Sequence, residues 1–327
     1  MLSATRRTLI LAAFASGLAL PALAFDPGEV ECIAPANPGG GWDFTCRQVG
    51  KALFDLGIVA NPVRVTNMAG GGGGIAFAYV VSKRNQDPHL LVAASTATTT
   101  RLAQGAYVDM SPEMVRWVGT VGADYGVIAV APDSPFTSLG DLMQALAERP
   151  EEVSIAGGSA FGGWDHLKVL IAAKAAGVAD VTRIKYVAYK GGGEALTALL
   201  GGHVQAFSGD ISEVVGFIEA GQVRVLAVLA PERLPGKLAD IPTAREQGID
   251  AIGANWRGFY APGGISEEAY DFWVEAVRQV YESELWKEVM AQSGLMPFAR
   301  FGAELERFVR QQTADIEALS REIGLLK

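Results

Sequence analysis

Two glycine-rich stretches, Pro35 to Arg47 and Asn67 to Gly74, hold the residue types and spacing best suited to chemistry in this 327-residue chain. Each follows a short strand-like run, Val30 to Ala34 and then Val63 to Thr66, and each leads into a helix-like run, Phe44 to Leu56 and then Ile75 to Val81. Glycine lets backbone approach a ligand closely, and the first amides of a helix have no partner within it. Together with the positive end of the helix dipole they suit an anion placed against the turn. A tight turn satisfied by Asp43 and water is the alternative for the first stretch alone. Two consecutive units presenting donors at one end of a parallel sheet favour a ligand, because ligands bind outside the carboxyl ends of such strands.

Further donors recur at later strand ends. Ser95 and Thr96 follow the run His89 to Ala93, where the competing role is helix capping. The turn Gly157 to Gly163, with Gly158 and Ser159, follows a strand from Val153 to Ala156 and precedes a helix beginning at Trp164. Tyr189, Lys190 and three glycines follow the strand Arg183 to Val187, and Lys190 is the cation among these loops. Asp210 ends the run Val204 to Phe207 and Ser208-Gly209; it either caps the next helix or accepts a ligand hydroxyl, since a carboxylate facing a carboxylate repels it.

Enzyme signatures are incomplete. Phe161 stands where G-x-S-x-G requires its last glycine, so Ser159 and His166 do not form a nucleophile elbow. His166 is expected to hold the start of its helix. The order Lys-Gly-Gly-Gly at Lys190 is not a phosphate-binding loop. Gly71-x-Gly73-x-x-Ala76 resembles a dinucleotide fingerprint only superficially, with no ribose-binding acid ending the next strand. His89, His166 and His203 are scattered, which points to no metal site and no cofactor.

The elements that must position these turns alternate strand and helix over enough chain for two domains. Residues 1–24 pair Arg6 and Arg7 with an apolar run from Leu9 to Leu20 and the small-x-small ending Ala22-Leu23-Ala24, the pattern of a secretory signal. Thr5-Arg6-Arg7-Thr8-Leu9 faintly resembles a twin-arginine leader; an ordinary one is the simpler reading. Downstream there is no apolar run near the ~20 residues of a membrane helix, so the mature chain is expected not to be membrane-embedded. A formal charge of -9 argues against nucleic acid. Cys32 and Cys46 fall on the first strand and the helix packing over it, within reach of a disulfide in an exported protein; two buried thiols are the alternative.

Trp117 to Val121 and Tyr125 to Ala131 read as two strands around Gly122-Ala123-Asp124, where the chain first crosses between lobes. Ser138-x-x-Asp141 and Thr243-x-x-Glu246 are capping boxes. The return crossing is expected around Ala254 to Pro262, and the three helices after it are expected to pack on the first lobe.

Taken in order, PGGGWDFTCR, NMAGGGGG, VAYKGGGEALTALLGGHVQ and QVRVLAVLAPERLPGKLADIPTAREQG resemble the Bug/TctC family, periplasmic solute receptors of tripartite tricarboxylate transporters. The similarity spans nearly the whole mature chain, and ECIAPANPGGGWDFTCR, GADYGVIAV and SGDISEV are most similar to the tricarboxylate (citrate) branch. The resemblance implies an α/β, two-lobed periplasmic binding protein of type II-like build, each lobe a mixed, mainly parallel sheet flanked by helices, with a cleft between. The expected division is 25–124 plus 256–327 for lobe 1 and 125–255 for lobe 2. It implies one ligand carboxylate against Gly40, Gly41, Gly71, Gly72 and Gly73, with Trp42 and Asp43 alongside and the distal end at Gly158, Ser159 and Tyr189. Trp42 departs from the smaller residue of other branches, which take dicarboxylates and other acids. The implied protein is a monomeric, non-enzymatic receptor in the periplasm that hands its acid to an inner-membrane permease. A ligand sensor for a two-component system is the alternative.

Overall fold

The computed structural model describes residues 25–326; the expected leader, 1–24, lies outside the described residues. The first half of the chain builds β1 (Glu31–Ala34), α1 (Gly41–Asp55), β2 (Arg64–Asn67), α2 (Gly74–Lys83), β3 (Leu90–Ser95), α3 (Thr96–Ala103) and β4 (Val115–Val130). The second lobe follows with α4 (Leu139–Glu148), β5 (Ser154–Gly157), α5 (Trp164–Ala175), β6 (Lys185–Ala188), α6 (Gly192–Leu200), β7 (Ala206–Asp210), α7 (Ile211–Glu219) and β8 (Arg224–Val228). β9 (Ala254–Pro262) returns to the first lobe, followed by α8 (Glu267–Glu282), α9 (Glu284–Ser293) and α10 (Ala303–Glu322).

The strand order is β2-β1-β3-β9-β4-β7-β5-β6, with β8 on β4. β1 pairs in parallel with β2 and β3, and β5 in parallel with β6 and β7, so each lobe carries a three-stranded parallel unit. β9 and β4 join these units by antiparallel pairing. Crossover helices cover the faces, and strands such as β1, β3 and β5 are buried along their whole length.

β4 is one sixteen-residue strand rather than the two strands the sequence suggests. Gly122, at φ 142°, and a register shift between Thr120 and Gly122 absorb the bend without ending the pairing. The strand pairs with β9 over its first part and with β7 and β8 over its last. Asp124 lies opposite Asn255, so both passages between lobes run side by side.

Packing follows the same division. Cys32, Val49, Leu53, Phe259, Trp273, Val277 and Trp286 share a core on the first lobe, where α8 and α9 lie as expected. Leu142, Leu146, Ile155, Leu167 and Leu170 form the second lobe's core. α10 departs from the expectation: Leu305 and Val309 pack on the first lobe, but Ile316, Leu319 and Ile323 pack into the second. An amphipathic helix of twenty residues is roughly 30 Å long, enough to reach across both. Lys174 and Glu322 pair at its far end.

Candidate functional site

A cavity of about 250 Å³ lies between the lobes, walled by the turns after β1 and β2 on one side and those after β5 and β6 on the other. Gly40, Gly41, Trp42, Gly71, Gly72 and Ser95 line it from the first lobe; Gly158, Ser159, Tyr189 and Asp210 line it from the second. Gly70 to Gly73 have φ of 136°, 60°, 64° and 97°, four consecutive residues in a region that side chains resist, so only glycine builds this wall at low cost. α1 begins at Gly41, three residues before the sequence signal, and places Gly41 and Trp42 in its first turn.

Three expected contacts point elsewhere. Asp43 accepts from the Gly39 amide, from Arg47 and from Asn67, bracing the turn from behind. Burial works against its charge, but those donors hold its carboxyl below the ordinary range. Gly73 lies behind Gly72, its missing side chain making room for the Tyr107 hydroxyl. Thr96 turns to β9, donating to the Ala254 carbonyl at 3.2 Å and accepting from the Trp256 amide at 3.3 Å. Ser95 does line the cavity, but its hydroxyl caps α3 through the Ala97 amide and accepts from the Trp42 indole, both at 3.1 Å.

The cavity floor is an ion lattice that sequence reasoning did not assemble. Arg257 of β9 donates to Asp124 at 2.7 Å and to Asp210 at 2.8 Å. Lys168 of α5 donates to Asp210 at 2.7 Å and pairs with Asp165 at 2.9 Å. Asn255 donates its amide nitrogen to Asp210 at 2.6 Å. Burial pushes Asp210 up, but Lys168 and Arg257 overcome it and hold the carboxyl below its ordinary value. Burial wins at Asp124 and Asp165, whose pKa values rise. Lys168 and Arg257 are raised despite burial, because facing carboxylates keep them charged.

Glu213, in the first turn of α7, is pushed up to about 8 by burial and by Asp210 and Asp165. Its carboxyl accepts from the Asp210 amide at 3.1 Å and, across the cleft, from the Gly41 amide at 3.0 Å. Other contacts bridge the lobes: the Asn37 amide to the Lys190 carbonyl at 3.0 Å, Gln104 to the Gly162 carbonyl at 2.7 Å, and Arg101 to the Phe161 carbonyl at 3.1 Å. Lys190 lines the cavity's exposed rim.

Ser159 Oγ accepts from the Asp165 amide at 3.0 Å and contacts the Tyr186 hydroxyl at 3.2 Å, so its surroundings organise the turn and supply no base. His166 accepts from the Gly162 amide through Nδ1 at 3.0 Å and stacks on Tyr186; burial lowers its pKa to about 4. Sequence alone hinted at the floor in one way: Asp124 is the one charge between Val118 and Val130, and Arg257 the one between Ile252 and Pro262. Charges are seldom buried unless paired.

BugT of Bordetella pertussis (strain Tohama I) is 28% identical over 322 residues, covering 94% of each chain. Among solved structures, an R. palustris protein with adipate superposes with a TM-score of 0.81 at 24% identity, covering 90% of this chain and 97% of its own. MatC from Rhodopseudomonas palustris with bound malate superposes with a TM-score of 0.77 at 22% identity, covering 90% and 99%. Residues 46–325 match the model of the tripartite tricarboxylate transporter family receptor. The chain belongs to that family, whose members are periplasmic solute-binding receptors and not enzymes.

Proposed function

We propose that this chain captures a small organic acid between its lobes in the periplasm and delivers it to the membrane permease of a tripartite transporter. The observation that carries the reading is the cavity itself, walled by glycine turns from both lobes and small enough to enclose one such acid. Export by the leader at 1–24 belongs to the same proposal. So does the division into lobes at 25–124 plus 256–327 and 125–255, turning where Asp124 and Asn255 pair. Ligand touching both walls stabilises the closed arrangement over an open one.

The finer expectation, a tricarboxylate such as citrate, sits poorly with Asp165 and Asp210 on the cavity wall. Like charges disfavour one another at close range. The wall suits one or two ligand carboxylates better than three, and the relatives solved with malate and adipate give precedent for such acids in this fold. Calorimetry with citrate, tricarballylate, succinate and glutarate tests both levels. Micromolar binding of at least one acid, about -8 kcal/mol, is expected. No heat from any of them contradicts the receptor reading, and citrate binding tightest restores the tricarboxylate one.

A further inference from the structure

Two buried polar atoms on the cavity wall have no hydrogen-bond partner among the described residues: Arg101 Nε and Asn255 Oδ1. Arg101, in the last turn of α3, spans the gap between Gly72 of one lobe and Gly162 of the other. Its Nη1 donates to Gln104 at 2.8 Å and to the Phe161 carbonyl, both neutral acceptors, and no carboxylate among the described residues pairs with it. A Cβ at position 72 would lie 3.4 Å from Nε, so glycine there keeps the turn close to the guanidinium without crowding it. Arg257, by contrast, has two carboxylate partners already.

Asn255 is 2% exposed. Because its nitrogen donates to Asp210, its oxygen is fixed as the unpartnered atom, and it needs a donor. Around it stand Asp124, Asp165, Asp210 and Glu213 against Arg257 and Lys168, four carboxyls to two cations. A buried acceptor left unmatched costs the full desolvation of that group, so a donor on the ligand is favoured at this end of the cavity. Arg101 and Asn255 line the same cavity of about 250 Å³, so one small acid can meet both.

We infer that Arg101 is the ion-pair anchor for a ligand carboxylate and that Asn255 Oδ1 receives a hydrogen-bond donor on the same molecule, an ammonium or a hydroxyl. The inference rests on the receptor reading above and narrows its ligand to small hydroxy or amino acids. Arg101 is then the specificity residue for the acid end, and Asn255 for the donor end.

The test is calorimetry of the purified mature chain with L-aspartate, L-malate and succinate, which share a carbon skeleton and differ in donor, on wild type, Arg101→Gln and Arg101→Lys. Aspartate or malate binding at least tenfold tighter than succinate supports the inference, and which of the two wins identifies the donor. Arg101→Gln should weaken that acid at least tenfold and Arg101→Lys less, with the ligand-free melting temperature of each variant reporting whether it folds. Succinate equalling or exceeding the other two overturns the inference while leaving the receptor reading intact, and needs no variant. Tight binding unchanged by Arg101→Gln in a folded protein overturns the anchor. No binding of any acid here or in the wider panel removes the receptor reading and this inference with it.

Discussion

A methyl group at position 41 would stand 2.2 Å from the Arg257 guanidinium, so the first glycine turn and the buried ion lattice are one construction. Gly41→Ala should displace Arg257 from Asp124 and Asp210, lowering stability by roughly 2–4 kcal/mol, because breaking a buried ion pair leaves uncompensated charge. Urea unfolding measures it; a loss under 0.5 kcal/mol would show that Arg257 shifts freely. Glu213 gives a pH signature. Its folded pKa of about 8 lies above the ordinary carboxyl value, so the folded state binds the extra proton between the two. Its contribution to stability is therefore full below about pH 4.5 and is lost as pH rises through about 8, with a slope of up to ~1.4 kcal/mol per pH unit. Subtracting the unfolding curve of Glu213→Gln from that of wild type isolates this from Asp124, Asp165 and Asp210; a flat difference from pH 5 to 8 contradicts it. At this scale the glycine runs were legible in the sequence, because residues 70–73 are needed together for a backbone that only glycine adopts. The ion lattice was not, since Asp124, Lys168, Asp210 and Arg257 come from four elements and each alone reads as a cap or an exposed charge.

Elements were legible where local chemistry sets their ends. Ser138 and Thr243 cap as their spacing implies, the first opening α4 and the second a single turn. β4 was misread as two strands because a mid-strand glycine ordinarily marks a break, and only its partner β9 keeps it continuous. The one disulfide belongs to this scale: Cys32 of β1 and Cys46 of α1 are bonded with Cα atoms 5.7 Å apart, closing a short loop that carries the Gly39–Gly41 turn. A loop of this length constrains the unfolded chain by about 3 kcal/mol. Replacing both cysteines with alanine should lower the unfolding free energy by 2–4 kcal/mol. Ligand affinity should fall with it, since α1 then holds Gly41 and Trp42 less firmly against β1. Unchanged affinity in the folded variant would show that Asp43 and Asn67 alone hold the turn.

Across the whole molecule, two parallel units meet at a pair of shared strands, and α10 packs on both lobes. The sequence showed the order of elements and the resemblance that goes with it, but not that the last helix leaves the first lobe. Its apolar spacing is the same whichever core receives Ile316 and Ile323. Lobe contacts at Asn37, Gln104 and Glu213 surround the cavity, so the enclosing walls come from residues far apart in the chain. A receptor of this build holds its acid between these walls. A crystal structure of the mature chain grown with the tightest-binding acid tests it most directly. Density for the acid between Gly71–Gly72 and Gly158–Ser159, touching both lobes, is the expected result. Density at a site on one lobe alone, with the space between the glycine turns taken up by side chains, would contradict it.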